Sequence, residues 1–183
     1  MTIIKRGNDI SGAEFSRCEK YRFSLWRTWT DKGLDGRLCA FIGLNPSTAT
    51  ESLNDPTITR CIRFCKDWGY DGYVMLNLFG FRATDPKVMK AQFDPDGREN
   101  NKQILRWTGR AKIVVCAWGI HGKHMGHGQN RRNILDRHGV AIHHLGLTKA
   151  GLPKHPLYLK ADTKPVPWPP CGVATSAGDE VES

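Results

Sequence analysis

Four apolar runs punctuate this chain, and amphipathic stretches alternate with them. The first run, 37–44, ends abruptly in Asn45-Pro46-Ser47. A buried strand stops in this way, because Pro46 bars a further ladder bond and holds Asn45 extended. The following loop closes at Asn54-Asp55-Pro56, where Asp55 suits an N-cap and Pro56 a first helical residue. Ile58, Ile62, Cys65 and Trp68 then recur at helical spacing up to Gly69, a natural C-cap. GYVMLNLF, residues 72–79, reads as a second buried strand with Asn77 near its end. Residues 80–95 read as a loop, and Asp94-Pro95 repeats the cap-and-proline signal before a helix to about Trp107. AKIVVCAW, 111–118, is the third strand and stops at Gly119. A helix over 130–138 and a strand over 140–145 complete the series.

Strands alternating with helices predict an α/β fold. Right-handed crossovers make it a three-layer α/β/α sandwich with a central four-stranded parallel sheet. Residues 38–160 form that domain. Residues 1–37 mix charges with Phe15, Tyr21, Phe23, Trp26 and Trp29 and follow neither the helical nor the strand period. They are expected to be an arm packed on the body. Residues 161–183 hold four prolines between Pro165 and Pro170 and then a Gly/Ser/acidic end, so an extended or disordered tail is expected.

At 183 residues the chain suits one domain with a real core. No apolar run approaches the ~20 residues that span a bilayer. MTIIKRGNDISG lacks the apolar stretch of a signal peptide. A cytoplasmic, monomeric protein without a membrane partner is expected. Charge changes the picture further. The net charge is +9, yet the last thirteen residues carry Asp179, Glu180 and Glu182 and no Lys or Arg, leaving +12 on the rest. Such an excess points to a polyanionic partner, most simply DNA.

The cysteines at 18, 39, 61, 65, 116 and 171 form no complete zinc or iron–sulfur set, and read as structural thiols. His121, His124 and His127 recur every three residues among glycines, but a metal site would need a further ligand. No metal or other cofactor is expected.

Every polar strand end falls on one edge of the predicted sheet. Asn45, Asp55, Asn77, Arg82, His121 and His155 gather there. Asn45 and Asn77 each offer a donor and an acceptor, to hold a water or read the amide edge of a base. His155, in a loop with Gly146 and Gly151, can donate to a developing negative charge. Asp55 is either a helix cap or a base. Lys123, Lys149 and Lys154, with Arg131 and Arg132 at the start of the last helix, are placed for phosphate contact.

Four short motifs now stand in order: FIGLNPS at 41–47, VMLNLFGFR at 74–82, VVCAWG at 114–119 and KHPLYL at 154–159. Together they resemble the uracil-DNA glycosylase superfamily, in the form whose first motif carries Asn, as in mismatch-specific and thymine-DNA glycosylases. The wider signature, GLNPSTA followed by NDPTITR, resembles a bacterial and phage family. Position 45 is Asn where faster enzymes of the superfamily carry Asp, and Leu157-Tyr158 replaces a Ser-Pro pair.

The resemblance implies a monofunctional DNA glycosylase. It would hydrolyse the N-glycosidic bond of a flipped-out pyrimidine and leave an abasic site. Asn45, His155 and Asp55 would be catalytic, and Asn77, Ser47 and Leu44 would bind the base. Arg82, Lys123, Arg131, Arg132, Lys149 and Lys154 would hold DNA, and Leu157 or Tyr158 would fill the gap in the duplex. Uracil, mismatched thymine and modified pyrimidines all fit. The small residues Ser47, Thr48 and Ala49 leave room for a 5-substituent of the kind a hypermodified phage base carries, which would make the protein a defence factor. The alternatives are an inactive DNA-binding module on the same fold and a hydrolase of free nucleosides or nucleotides.

Overall fold

In the computed structural model, which describes residues 2–47 and 49–170, the four apolar runs are the parallel strands of a larger sheet. The strands are β1 (Ile3–Gly7), β2 (Ser11–Ser16), β3 (Arg22–Thr28), β4 (Leu38–Gly43), β5 (Gly72–Asn77), β6 (Ile113–Cys116), β7 (Ile142–His144) and β8 (Val166–Pro167). They lie in the order β1-β2-β3-β5-β4-β6-β7-β8. β5, β4, β6 and β7 are mutually parallel, while β1, β2 and β3 extend the sheet antiparallel from β5 and β8 closes the far edge antiparallel to β7. The protein is therefore α/β, with an eight-stranded mixed sheet in place of the expected four-stranded parallel one.

The residues expected to be an arm are the extra strands. β3 is buried along its whole length, including Arg22, Ser24 and Arg27. Those polar residues break the alternation that marks a strand, and they are tolerated because the fold gives them partners. Ser24 donates to Glu14, whose carboxylate also accepts from Arg106 at 2.5 Å and from the Trp107 indole at 3.1 Å. These bonds, led in opposition by burial, hold the Glu14 carboxyl below its ordinary pKa.

Four α-helices cover the sheet: α1 (Pro56–Asp67), α2 (Pro86–Lys90), α3 (Asn100–Arg110) and α4 (His127–Arg137). Alternate strand residues feed two separate cores. Cys39, Phe41, Tyr73, Met75 and Val115 pack with Ile58, Cys61, Phe64 and Cys65 of α1. Ala40, Ile42, Val74, Leu76 and Val114 pack with Met89 of α2, Ile104 and Trp107 of α3 and Leu135 of α4. Helices thus lie on both faces.

Three helix starts differ from expectation. Asp85-Pro86, inside the expected loop, caps α2 through the Lys87 N–H at 2.8 Å. Asp94 instead accepts from Gly97 N–H in a turn at 2.9 Å, and Gly97 at φ +77° stops helix growth there. α3 begins at Asn100, whose buried amide donates to the carbonyls of Asn77 and Leu78. α4 begins at His127, three residues before the expected start. At the other end, Val166 pairs with His144, and Trp168 rests 6.0 Å from the Trp118 ring. Thr48, Cys171 and the rest of the expected tail, 172–183, lie outside the described residues. No helix among the described residues is long and apolar enough to cross a membrane.

Trp26 of β3 tests whether the three N-terminal strands share the core. Its ring stacks on Trp107 of α3 at 5.6 Å, and its indole donates to Asn8. Trp26→Ala is expected to cost about 3–5 kcal/mol in one cooperative unfolding transition in denaturant. A small early transition beside an unchanged main one would show an appended arm.

Candidate functional site

Strand order locates the site. From β4 the chain crosses to β5 on one side, and from β5 it crosses back over β4 to β6. The connections therefore leave β4 and β6 in opposite directions, and a crevice opens outside the carboxyl ends of such strands. A cavity of about 490 Å³ occupies it, within the range of small-molecule sites. Leu44, Asn45 and Ser47 line it from the end of β4, Asn77 from β5, and Trp118 to His121 from β6. The start of α1 adds Asp55, the last loop adds His155 and Tyr158, and β3 adds Arg22.

Asn45 is anchored through its amide nitrogen, which donates to Ala83 O at 2.7 Å and Pro46 O at 3.1 Å. The atom left for a ligand is its oxygen. Asn77 is the opposite case: its side-chain nitrogen is buried and has no partner. A buried amide without a partner costs about 1–3 kcal/mol, so this one is poised for a ligand acceptor. Gly43 makes room for it, since a Cβ there would lie 3.0 Å from the Asn77 oxygen.

Asp55 is the only acidic residue among the described residues that line the cavity. One carboxylate oxygen caps α1 by accepting the Ile58 N–H at 2.8 Å, and the other accepts from the Ser47 hydroxyl. The helix-cap reading is correct, and the carboxylate faces the cavity as well.

His155 is brought to the end of β6 by backbone bonds. Gly119 N–H donates to Pro153 O at 3.0 Å, and Lys154 N–H to Gly146 O at 2.9 Å. Arg60 of α1 donates to Leu159 O and ties the loop from the other side. His155 Nδ1 caps the turn Pro156–Tyr158 by accepting the Leu157 N–H at 3.4 Å. Burial lowers its pKa, with Asp55 acting the other way. A neutral ring that accepts at Nδ1 carries its proton on Nε2, as a donor.

Arg22 has no counterpart in the sequence reading, because it lies in the stretch that showed no period. Its guanidinium is 1% exposed, and it donates to Ala49 O. Its Nε is buried without a partner. Burial lowers its pKa to about 10, so it remains a cation at neutral pH.

The expected DNA contacts divide. Lys123, Lys149 and Lys154 are exposed, as are Leu157 and Tyr158. Arg82 lines a neighbouring cleft and donates to Glu19 O at 3.2 Å. Arg131 and Arg132 are corrections. Arg131 is 3% exposed, bonded to Asn101 and 3.9 Å from Asp96. Arg132 donates to Pro169 O and lies over the Trp168 ring. Arg131 is spent inside the fold, and Arg132 is half-buried with its guanidinium committed to Pro169 and Trp168. The three histidines also separate: His121 meets Lys90 at 3.1 Å, while His124 and His127 pack on Phe79. No group of three His, Cys, Asp or Glu among the described residues is arranged to hold a metal ion.

The family described as "Protein of unknown function (DUF1643)" matches residues 22–157. The chain belongs to the DUF1643 family. No curated protein and no solved structure matches it. Within this DUF1643 chain the matched span opens at Arg22 and takes in every residue that lines the cavity except Tyr158.

The lowered pKa of His155 has a signed consequence. Between its folded value and about 6.5, the value of a free imidazole, the unfolded chain binds more protons than the folded one. The stability tied to His155 is thus complete above about 6.5 and is lost as pH falls toward the folded value. NMR titration of the ring should give a midpoint below 6.5, and His155→Gln should flatten part of the acid-side decline in melting temperature. A midpoint at or above 6.5 would mean that the ring is not desolvated.

Proposed function

We propose that this protein is a monofunctional DNA glycosylase that hydrolyses the bond between deoxyribose and a flipped-out pyrimidine. One observation carries the reading: Asn45, Asn77 and His155, from three separate motifs, converge on a single cavity with complementary hydrogen-bonding capacity. An α/β fold whose strands β4 to β7 run parallel, with helices on both faces of the sheet, supports the reading. DNA is the partner that the basic body favours.

The chemistry follows from these groups. The base must leave the stack, which costs a few kcal/mol. The bond to C1′ then breaks toward a cationic sugar and an anionic pyrimidine. The Asn45 oxygen positions water for C1′, and its anchored nitrogen keeps it from turning away. The Asn77 nitrogen donates to a base carbonyl, the partner it lacks in the free protein. His155 donates from Nε2 to the departing base oxygen and stabilises charge as it develops. Tyr158, 85% exposed beside the cavity, or Leu157 enters the gap left in the duplex. The bases that fit are uracil, mismatched thymine and 5-substituted pyrimidines, the last making a role in phage defence natural.

Mass spectrometry of bases released from uracil-containing, mismatched and modified phage DNA tests the reading directly. Binding without release would make the protein a DNA-binding module, and release from free nucleosides alone would make it a nucleoside hydrolase. Asn45→Ala should leave DNA affinity within a few-fold while single-turnover release falls by about two to three powers of ten. Full activity in that variant would remove Asn45 from the mechanism. The exposed lysines generate a separate expectation for binding. Each neutralised phosphate should add about −0.9 to the slope of log affinity against log salt, and a flat response in a filter-binding series would exclude DNA as the partner.

A further inference from the structure

One aromatic ring on this surface is held out in water. Phe93 is 105% exposed, the most of any large hydrophobic among the described residues. Single exposed apolar residues are ordinary, but a ring on a pliable loop would fold down onto its neighbours. The backbone around Phe93 is pinned on both sides. Gln92 N–H donates to Met89 O at 3.1 Å, and the Gln92 side-chain amide to Val88 O at 3.0 Å. On the other side the Tyr21 hydroxyl donates to Asp94 O at 2.8 Å, and Phe81 N–H to Pro95 O at 3.0 Å.

The same stretch is the wall of a second cleft. Gln92 and Phe81 line it with Glu19, Lys20 and Arg82, around a volume of about 460 Å³. Ser47, Ala83 and Thr84 line both this cleft and the cavity at the strand ends, and so form the sill between them. The cleft is cationic on balance. Lys20 is exposed there beside Arg82, while the Glu19 carboxylate is paired with Arg6. Backbone bonding fixes the two cations together, since Arg82 N–H donates to Lys20 O at 2.9 Å. Cations that can follow a phosphate chain, beside an aromatic ring open to a base, are the two parts of a site for unpaired nucleotides.

We infer that this cleft and Phe93 bind an unpaired nucleotide next to the one in the cavity, with its phosphate on Lys20 and Arg82 and its base stacked on the Phe93 ring. The inference rests on DNA as the partner in the reading above, and not on the glycosylase chemistry. A strand whose base enters the cavity has to leave over the rim, and the sill of Ser47, Ala83 and Thr84 leads to the cations. In a closed duplex each base face is covered by the next base, so a ring on the protein surface meets only edges. An unpaired base offers its face whatever its identity, and the contact therefore tolerates any sequence.

The test compares two single strands of equal length by fluorescence anisotropy: oligothymidylate, and a sugar-phosphate strand without bases. Both carry the same phosphates. Phe93→Ala should weaken oligothymidylate binding roughly five- to a hundredfold, as for one base stacked on an aromatic ring, and leave the base-free strand unaffected. Phe93→Trp should keep the affinity. Lys20→Ala should weaken both strands and reduce the salt slope by about 0.7. Both positions are exposed, so folding should survive these changes, and thermal melting checks that it does. Equal affinity of wild type and Phe93→Ala for oligothymidylate would overturn the inference, and it is the result expected if Phe93 docks a protein instead. An equal loss on both strands would overturn it too, because the ring would then act without a base. Base release from DNA with binding indifferent to Phe93 would sink this site and leave the glycosylase reading intact. Phe93-dependent binding without release from any DNA would keep the site and sink the glycosylase reading.

Discussion

β4 is hydrogen-bonded on both sides, to β5 and to β6, and both neighbours run parallel to it. The rest of the site follows from that constraint. A parallel neighbour can be reached only by a crossover long enough to climb back over the sheet. The chain makes one crossover on the α1 face and the next on the α3 face. Between the two departures the cavity opens at the end of β4, and Asn45 and Asn77 emerge there on adjacent strands. The register pairs Gly43 with Asn77, so the absent side chain of one leaves the space that the other fills.

The loop between Asn45 and Asp55 poses a second problem, which the N-terminal strands solve. Its described residues lack regular structure and carry carbonyls that the fold partly buries, and each needs a donor. Arg22 and Arg27 provide them from β3, at Ala49 and at Thr50. Asp55 closes the loop by capping α1, and Ser47 reaches back to the same carboxylate. The three strands added to the sheet edge are thus more than extra core. They hold the first motif in place from behind, and Arg22 does so while it faces the ligand space.

How legible all this was in the sequence depended on whether a signal was local. Asp55-Pro56 states its own role, because an N-cap followed by proline works through bonds within four residues, and α1 starts where that pair predicts. Asp94-Pro95 has the same letters and makes only a turn, because Gly97 follows within reach. The four parallel strands were readable from apolar runs. β1 to β3 were not, since their buried polar residues find partners far along the chain: Glu14 meets Arg106 and Trp107, ninety-odd positions away. No window of neighbouring residues contains that pairing. Arg22 was missed for the same reason, whereas Asn45, Asn77 and His155 were found because each stands at the end of an apolar run or beside a proline.

The division among the basic residues follows from their chemistry. The sequence treats Arg131, Arg132, Lys123, Lys149 and Lys154 alike, as one positive surface. In the fold Arg131 is buried and Arg132 half-buried against Trp168, and all three lysines stay in water. A guanidinium is weakly hydrated, forks to several acceptors and stacks on aromatic faces, as Arg132 does on Trp168. An ammonium is compact and strongly hydrated, and it keeps its charge at the surface. Counting net charge therefore overstates the positive surface and understates the positive interior. Lys123 follows His121 in the turn after β6, and Lys154 immediately precedes His155, so the exposed cations border the cavity in sequence. Arg22 stands inside it. The outer charges stay hydrated, and the inner one has shed its water and lies in the field of the Asp55 carboxylate.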